Sequence, residues 1–192
     1  MNTQKYLRHL TINGALILTT ITSPLAFAQQ TKDPTEVSDR KMEQIQRKNR
    51  RNAEEAMARD SRGLSAKEMA DLEQTYQIAN KNTRSPEAIE ALKKVVTTYD
   101  KSNRAGCAAL YLGRWTQGEE QEKYLKLAID KYSKCYYLDG TSVGGYARFV
   151  LGQVFAQAGK EADAKKLFEE VRKSYNEATD HSGKLLIAQL PK

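Results

Sequence analysis

From Ser65 to the C-terminus, apolar side chains return every three or four residues, in runs of roughly 12 to 18 residues. That period lines one face of a helix. No stretch keeps the two-residue alternation of a strand. The pattern predicts an all-α domain over 64–192. Its helices are expected over 65–82, 86–100, 105–117, 120–138, 143–157 and 161–176, with a short one over 182–189. Start signals agree. Ser65-Ala-Lys-Glu68 is a capping box, in which the Ser oxygen and the Glu carboxylate satisfy free N–H groups. Ser85-Pro86-Glu87 sets a Ser cap before a Pro at the first helical position. Gly118, Gly140 and Gly159 punctuate later boundaries.

Two other patterns precede this domain. Residues 29–63 carry nine basic and seven acidic residues, with sparse apolar positions at Val37, Met42, Ile45, Ala53, Ala56 and Met57. Such a segment buries little of its own surface, so a charged, partly helical or disordered extension is expected. Met42, Ile45 and Asn49 fall at coiled-coil spacing, but too few heptads follow. Residues 1–28 begin with Lys5 and Arg8, continue through an apolar, Thr-rich run over 12–25, and end in Ala26-Phe27-Ala28. This is the layout of a cleaved secretory signal peptide. The run falls short of the ~20 apolar residues of a membrane span. No transmembrane segment is expected after cleavage.

Within the helical domain some positions return. Leu151-Gly152 has an echo at Leu112-Gly113, 39 residues earlier, and another at Ile78-Ala79, 34 residues before that. The following helices offer matching rows: Ala91, Val95, Thr98; Ala128, Tyr132, Cys135; and Ala164, Phe168, Val171. In this alignment the middle unit carries extra residues in its inter-helix turn, "TQGEEQE". A small residue on one helix facing a small residue on the next lets the axes approach, and a bulky one fills the gap to the following unit. One hairpin cannot bury both faces, so neighbours must stack.

Over 72–178 these spacings resemble the tetratricopeptide repeat (TPR), a helix–turn–helix unit of about 34 residues. The last unit fits best, through Leu151, Gly152, Phe155, Gly159, Ala164, Phe168 and Val171. The resemblance implies a right-handed short solenoid of about three repeats, capped by Leu185, Leu186, Ile187 and Leu190. It implies a concave groove lined by the first helix of each unit. Groove-facing residues would be Tyr76, Asn80, Leu110, Arg114, Tyr146, Phe149, Gln153 and Gln157. It departs from the family in lacking the early Trp, with Thr75, Ala109 and Arg148 in its place.

Charge and chemistry narrow the function. The formal charge of +7 falls to +5 once the leader takes Lys5 and Arg8 with it. An exported chain rarely meets nucleic acid, so no nucleic-acid partner is expected. Arg47, Lys48, Arg50 and Arg51 form the one dense basic patch. Cys107 and Cys135 are a candidate disulfide in an exported protein. A bridge would close about 29 residues and stabilise by roughly 3.6 kcal/mol on the chain-entropy model. The helical register brings their helix ends together but turns Cys107 toward the groove, and the pairing stays open. Tyr136 and Tyr137 read as stack-filling rings. Catalysis finds little support. His181 is the one histidine after the leader, the cysteines lack metal-ligand spacing, and no phosphate-binding or nucleophile motif occurs. Glu119-Glu120 and Glu169-Glu170 are adjacent, so they do not face one another. No metal or cofactor is expected. The expectation is a non-enzymatic, exported scaffold, periplasmic or secreted, that binds a peptide or protein of the cell envelope in its groove. The alternative is a structural or self-associating protein, a homo-oligomer among its forms, that attaches to anionic surfaces through the basic patch.

Overall fold

The computed structural model describes residues 38–191. The expected signal peptide over 1–28 and the start of the extension lie outside the described residues. Seven helices follow in order: α1 (Asp39–Gly63), α2 (Ala66–Lys81), α3 (Pro86–Thr98), α4 (Asn103–Trp115), α5 (Gly118–Asp130), α6 (Val143–Gln157) and α7 (Glu161–Ser174). A single 3-10 turn, Leu186–Gln189, follows. The fold is all-α, as the periodicity predicts.

From α2 to α7 each helix packs on the next. In addition α2 touches α4 and α4 touches α6, while α3, α5 and α7 make no such contact with one another. The stack is therefore tight on the α2–α4–α6 side and splayed on the other. Leu72, Leu92, Leu110, Leu112 and Leu125 are fully buried between the layers. Each such side chain stabilises by about 1.5–3 kcal/mol over its exposed state.

Four serines start helices. Ser65 and Glu68 form both bonds of the capping box, and Ser85 accepts from Ala88 N–H at 3.1 Å. Ser102 and Ser142 do the same for α4 and α6, accepting from Ala105 N–H at 3.0 Å and Gly145 N–H at 3.2 Å. α5 and α7 have no side-chain cap, but Glu119, Glu120, Glu161 and Asp163 set negative charge on their positive ends.

Three expectations need correction. The first concerns the register of the second helices. Gly113 of α4 meets Leu125 of α5, and Gly152 of α6 meets the ring of Phe168 on α7. Leu125, not Tyr132, is thus the counterpart of Phe168. The row in α5 is Gln121, Leu125, Ala128, one heptad before the expected one; Cys135 lies beyond the helix. The turn between α4 and α5 is only Thr116-Gln117, so it carries no extra length. Thr98 and Ile78 are exposed, so the earliest rows do not hold as written.

The second is the end of α5, at Asp130 rather than 138. Beyond it the chain folds into a turn. Tyr137 N–H donates to Thr141 O at 3.0 Å, around an Asp139-Gly140 tip with Gly140 at φ 91°. An Asp-Gly pair is a strong turn signal because Gly takes positive φ freely.

The third is the helix expected over 182–189, which is a 3-10 turn over Leu186–Gln189. The extension takes the helical one of its two expected forms, and what the sequence did not announce is its docking. Residues 39–63 form one 25-residue helix docked along the edge of the stack. Its buried residues, Ile45, Asn49, Ala53, Ala56 and Asp60, are spaced four, four, three and four, a single stripe. The stripe works with few apolar atoms because polar side chains carry the contact. Asn49 Nδ2 donates to Glu177 O at 3.0 Å, and Arg59 donates to Lys134 O at 3.1 Å. Asp60 accepts from Asn103 N–H at 2.7 Å and Arg104 N–H at 3.3 Å, capping α4 from another helix. Gly140 sits so close to α1 that a Cβ there would stand 3.0 Å from the Asn49 carbonyl carbon.

The C-terminal segment closes the other end as expected. Leu186 is fully buried with Phe149, Val171 and Ala178.

Candidate functional site

The inner face of α2, α4 and α6 gathers aromatic rings. On α4, Tyr111 and Trp115 are one turn apart and stack, with centroids 4.9 Å apart and planes at 26°. Tyr76 of α2 lies 6.2 Å from Tyr111. The α5–α6 turn brings Tyr137 edge-on to Tyr111 at 5.1 Å. His181, from the turn after α7, stands edge-on to Tyr137 at 4.7 Å and to Tyr146 of α6 at 5.4 Å. Tilted and edge-to-face pairs at these distances are the favoured aromatic geometry. The row thus crosses three helices and two turns.

The two turns share one design. The bonds Tyr137 N–Thr141 O, Gly140 N–Tyr137 O and Val143 N–Cys135 O recur 43 residues on. Their counterparts are Asp180 N–Lys184 O, Gly183 N–Asp180 O and Leu186 N–Ala178 O. Gly183 matches Gly140, with φ 82°. His181 therefore holds in the second turn the place that Leu138 holds in the first. Leu138 is 63% exposed, one of two large apolar side chains so exposed among the described residues.

Charged groups are set into the row. Arg104 lies over the Tyr76 ring at 4.6 Å and binds both carboxylate oxygens of Glu73, at 2.6 and 3.1 Å. Arg114 lies 5.0 Å above the Tyr146 ring. Among the described residues Arg114 makes no salt bridge. Asp139 Oδ2 and His181 Nδ1 are 2.7 Å apart and tie the two turns together. Burial pushes the Asp139 carboxyl up, yet its bond to His181 helps to hold it below the ordinary value. Tyr137 Oη donates to Cys107 O at 2.8 Å, and burial raises its pKa well above the usual phenol value. Between Tyr76, Tyr111, Tyr137 and Leu138 opens a pocket of about 250 Å³, with Asn80 and Asp139 on its lining.

The expected groove residues divide. Arg114 and Tyr146 belong to the row, half-buried. Tyr76 is there too, but only 2% exposed, a wall rather than a free ring. Asn80 is exposed at the pocket and bonded to Gln77. Gln153 and Gln157 are exposed on α6. Leu110 and Phe149 are not groove residues: Leu110 is fully buried, and Phe149 packs into the C-terminal cluster with Val171 and Leu186. Arg47, Lys48, Arg50 and Arg51 lie exposed on α1. Sequence reasoning missed Tyr111, Trp115, His181 and Asp139 as site members, and it read Tyr137 as filler. Tyr111 and Trp115 were findable, being three residues before and one after Arg114 on the same helix. Nothing in the sequence announced that His181 would reach Tyr146.

Both cysteines are free thiols in the structure. Cys107 is fully buried rather than turned to the groove, and its Sγ donates to Tyr136 O at 3.4 Å. Cys135 lies against Gly106, the neighbour of Cys107. Burial pushes the Cys107 thiol well up and the Cys135 thiol up to about 12, so neither is a thiolate at neutral pH. Among the described residues no His, Cys, Asp and Glu cluster could hold a metal, and no helix is long and apolar enough to cross a membrane. No family model, curated protein or solved structure matches the chain.

Proposed function

We propose that this chain is a non-enzymatic interaction scaffold of the cell envelope that binds a peptide or protein on the face of α2, α4 and α6. The observation that carries it is the row of rings across three helices, with a half-buried Arg114 beside it that has no carboxylate partner among the described residues. Aromatic and Arg anchors dominate binding energy at many interfaces. The TPR likeness supplies the finer reading: three stacked hairpins whose first helices form a ligand groove. The thiols of Cys107 and Cys135, pushed up by burial, are poor nucleophiles, which supports a binding role over catalysis. The leader-like residues 1–28 support export, to the periplasm or beyond it.

A second reading has its own support. Arg50 and Arg51 on α1 project from an exposed face and make no salt bridge among the described residues, which suits an anionic surface. A photo-crosslinking residue at Gln153 or at Arg50, in the native envelope, separates the two. The groove reading expects one discrete protein adduct at Gln153 that survives high salt. Adducts only at Arg50, lost as salt rises, would replace it with the electrostatic reading.

A further inference from the structure

We propose that the pocket between Tyr76, Tyr111 and Leu138 receives a single aromatic side chain from a partner segment that carries a carboxylate close by. This rests on the groove reading and names what the groove reads. Four observations lead to it.

The face already holds one ring delivered by a turn. His181 inserts edge-on between Tyr137 and Tyr146, at 4.7 and 5.4 Å, and Asp139 fixes its nitrogen. The pocket adjoins this ring: His181 and Tyr137 both line it, and Tyr111 offers a further wall of the same kind. Leu138, the counterpart of His181 in the first turn, does not fill it; this leucine stays 63% exposed at the rim. A ring entering there would extend the row by one member and cover Leu138.

Size agrees. At about 250 Å³ the pocket falls below the range of about 300–1,000 Å³ typical of sites for whole drug-sized ligands. It suits one anchoring side chain whose backbone runs outside.

The polar groups decide what accompanies the ring. Arg104 is already held by Glu73, and Asp139 is already held by His181. Arg114 is different. It sits one helical turn from Tyr111 on the same face, stacked on Tyr146, with no carboxylate of its own among the described residues. A guanidinium stacked on a ring keeps its N–H edge free for a carboxylate. An acidic residue near the anchor would meet it. The positive balance of the chain favours the same partner.

The test uses the purified chain and fluorescence anisotropy with labelled nine-residue peptides. Each has Gly/Ser flanks around Asp-X-Glu, with X as Trp, Tyr, Leu, Lys or Ala. The expected result is binding at least about tenfold tighter for Trp or Tyr than for Ala, from burial plus ring–ring contact. Changing the acids to amides should weaken binding about threefold, as for a partly exposed ion pair. Arg114→Gln should erase that threefold difference and leave the aromatic preference. Tyr111→Ala should erase the aromatic preference. Should that variant fail to fold, Asn80→Trp, at an exposed position, fills the pocket from its edge and should have the same effect. Equal affinity for Ala and Trp, or an aromatic preference that survives Asn80→Trp, overturns the assignment. Absence of binding by every peptide also overturns it, and the Gln153 crosslink then reports separately whether the groove reading stands.

Discussion

The edge covered by α1 and the inner face of α2, α4 and α6 solve opposite problems. Along the edge, a highly charged helix is held by a narrow stripe: Ala53 and Ala56 let it lie close, Asn49 and Arg59 bond to carbonyls of two turns, and Asp60 bonds to the first N–H groups of α4. Those C=O and N–H groups need partners, and α1 supplies them. On the inner face, rings pack on rings while Leu138 and Arg114 keep unused capacity. The edge spends its polar groups inside the molecule; the inner face leaves some over. The attachment of α1 thus uses satisfied hydrogen bonds beside a narrow apolar stripe, whereas the proposed binding face rests on what the inner face leaves unused.

The largest expected effect comes from breaking what both regions stand on. Phe168 fills the gap against Gly152, so Phe168→Ala should cost about 4 kcal/mol by cavity formation. Urea unfolding monitored by circular dichroism would measure it. A loss under about 1 kcal/mol would mean α6 and α7 collapse onto the gap. Asp60→Ala should come next, at about 2 kcal/mol, because the first N–H groups of α4 lose a buried acceptor. Its effect should stay on the edge. Hydrogen exchange should rise along α1 and at Asn103 and Arg104, while the α6–α7 pair keeps its protection. Equal loosening of both regions would refute the separation.

How these regions read from the sequence follows from their chemistry. The helix pairs were legible because burial repeats every three or four residues: Val95, Leu112 and Leu151 each sit where the pattern expects them. The docking of α1 was not, because Asn49 and Asp60 read as solvent-facing while their partners are backbone groups, which carry no sequence signal. The row in α5 slipped by one heptad because Ala128 fits two registers, and only the contact of Gly113 with Leu125 chooses between them. In the candidate site, Arg114 and Tyr146 were named only through the resemblance to the tetratricopeptide repeat. Tyr137 and His181 enter from turns, where periodicity says nothing.

Acid should divide the two regions by sign. Burial pushes Asp60 above the ordinary value of 3.8, against the pull of two backbone N–H groups. The proton-linked part of its contribution is therefore fully present below pH 3.8 and is lost as pH rises through its folded value, while the two N–H bonds it accepts persist at neutral pH. Asp139 and Asp180 go the other way. Burial raises them, but bonds from His181 to the first and from Ser182, Lys184 and Gln189 to the second bring both below 3.8. Their contributions are present above 3.8 and are lost as pH falls through the lower folded values. Hydrogen exchange from about pH 5 down to 2, corrected for intrinsic rates, should show the turn around Asp180 opening while Asp60 still holds α1. Release of α1 first would reverse the assignment.

The smallest effect sharpens the comparison most finely, because two ion pairs share one length. Lys48–Glu177 on the edge and Arg104–Glu73 on the inner face are both 2.6 Å. The side chains of the first pair are 56% and 38% exposed, those of the second 8% and 32%. Distance alone would give them equal worth. Water screens the edge pair, and holding two long side chains in one geometry costs entropy, so Lys48→Ala should change stability by less than about 0.5 kcal/mol. Glu73→Ala should cost several times more, since it leaves the guanidinium of Arg104 buried over Tyr76 without its carboxylate. Raising salt should erase the small Lys48 effect and leave the Glu73 effect in place. Equal losses at the two sites would mean that burial does not set the worth of these charges, and that α1 is held as much by its exposed pairs as by the backbone bonds beneath them.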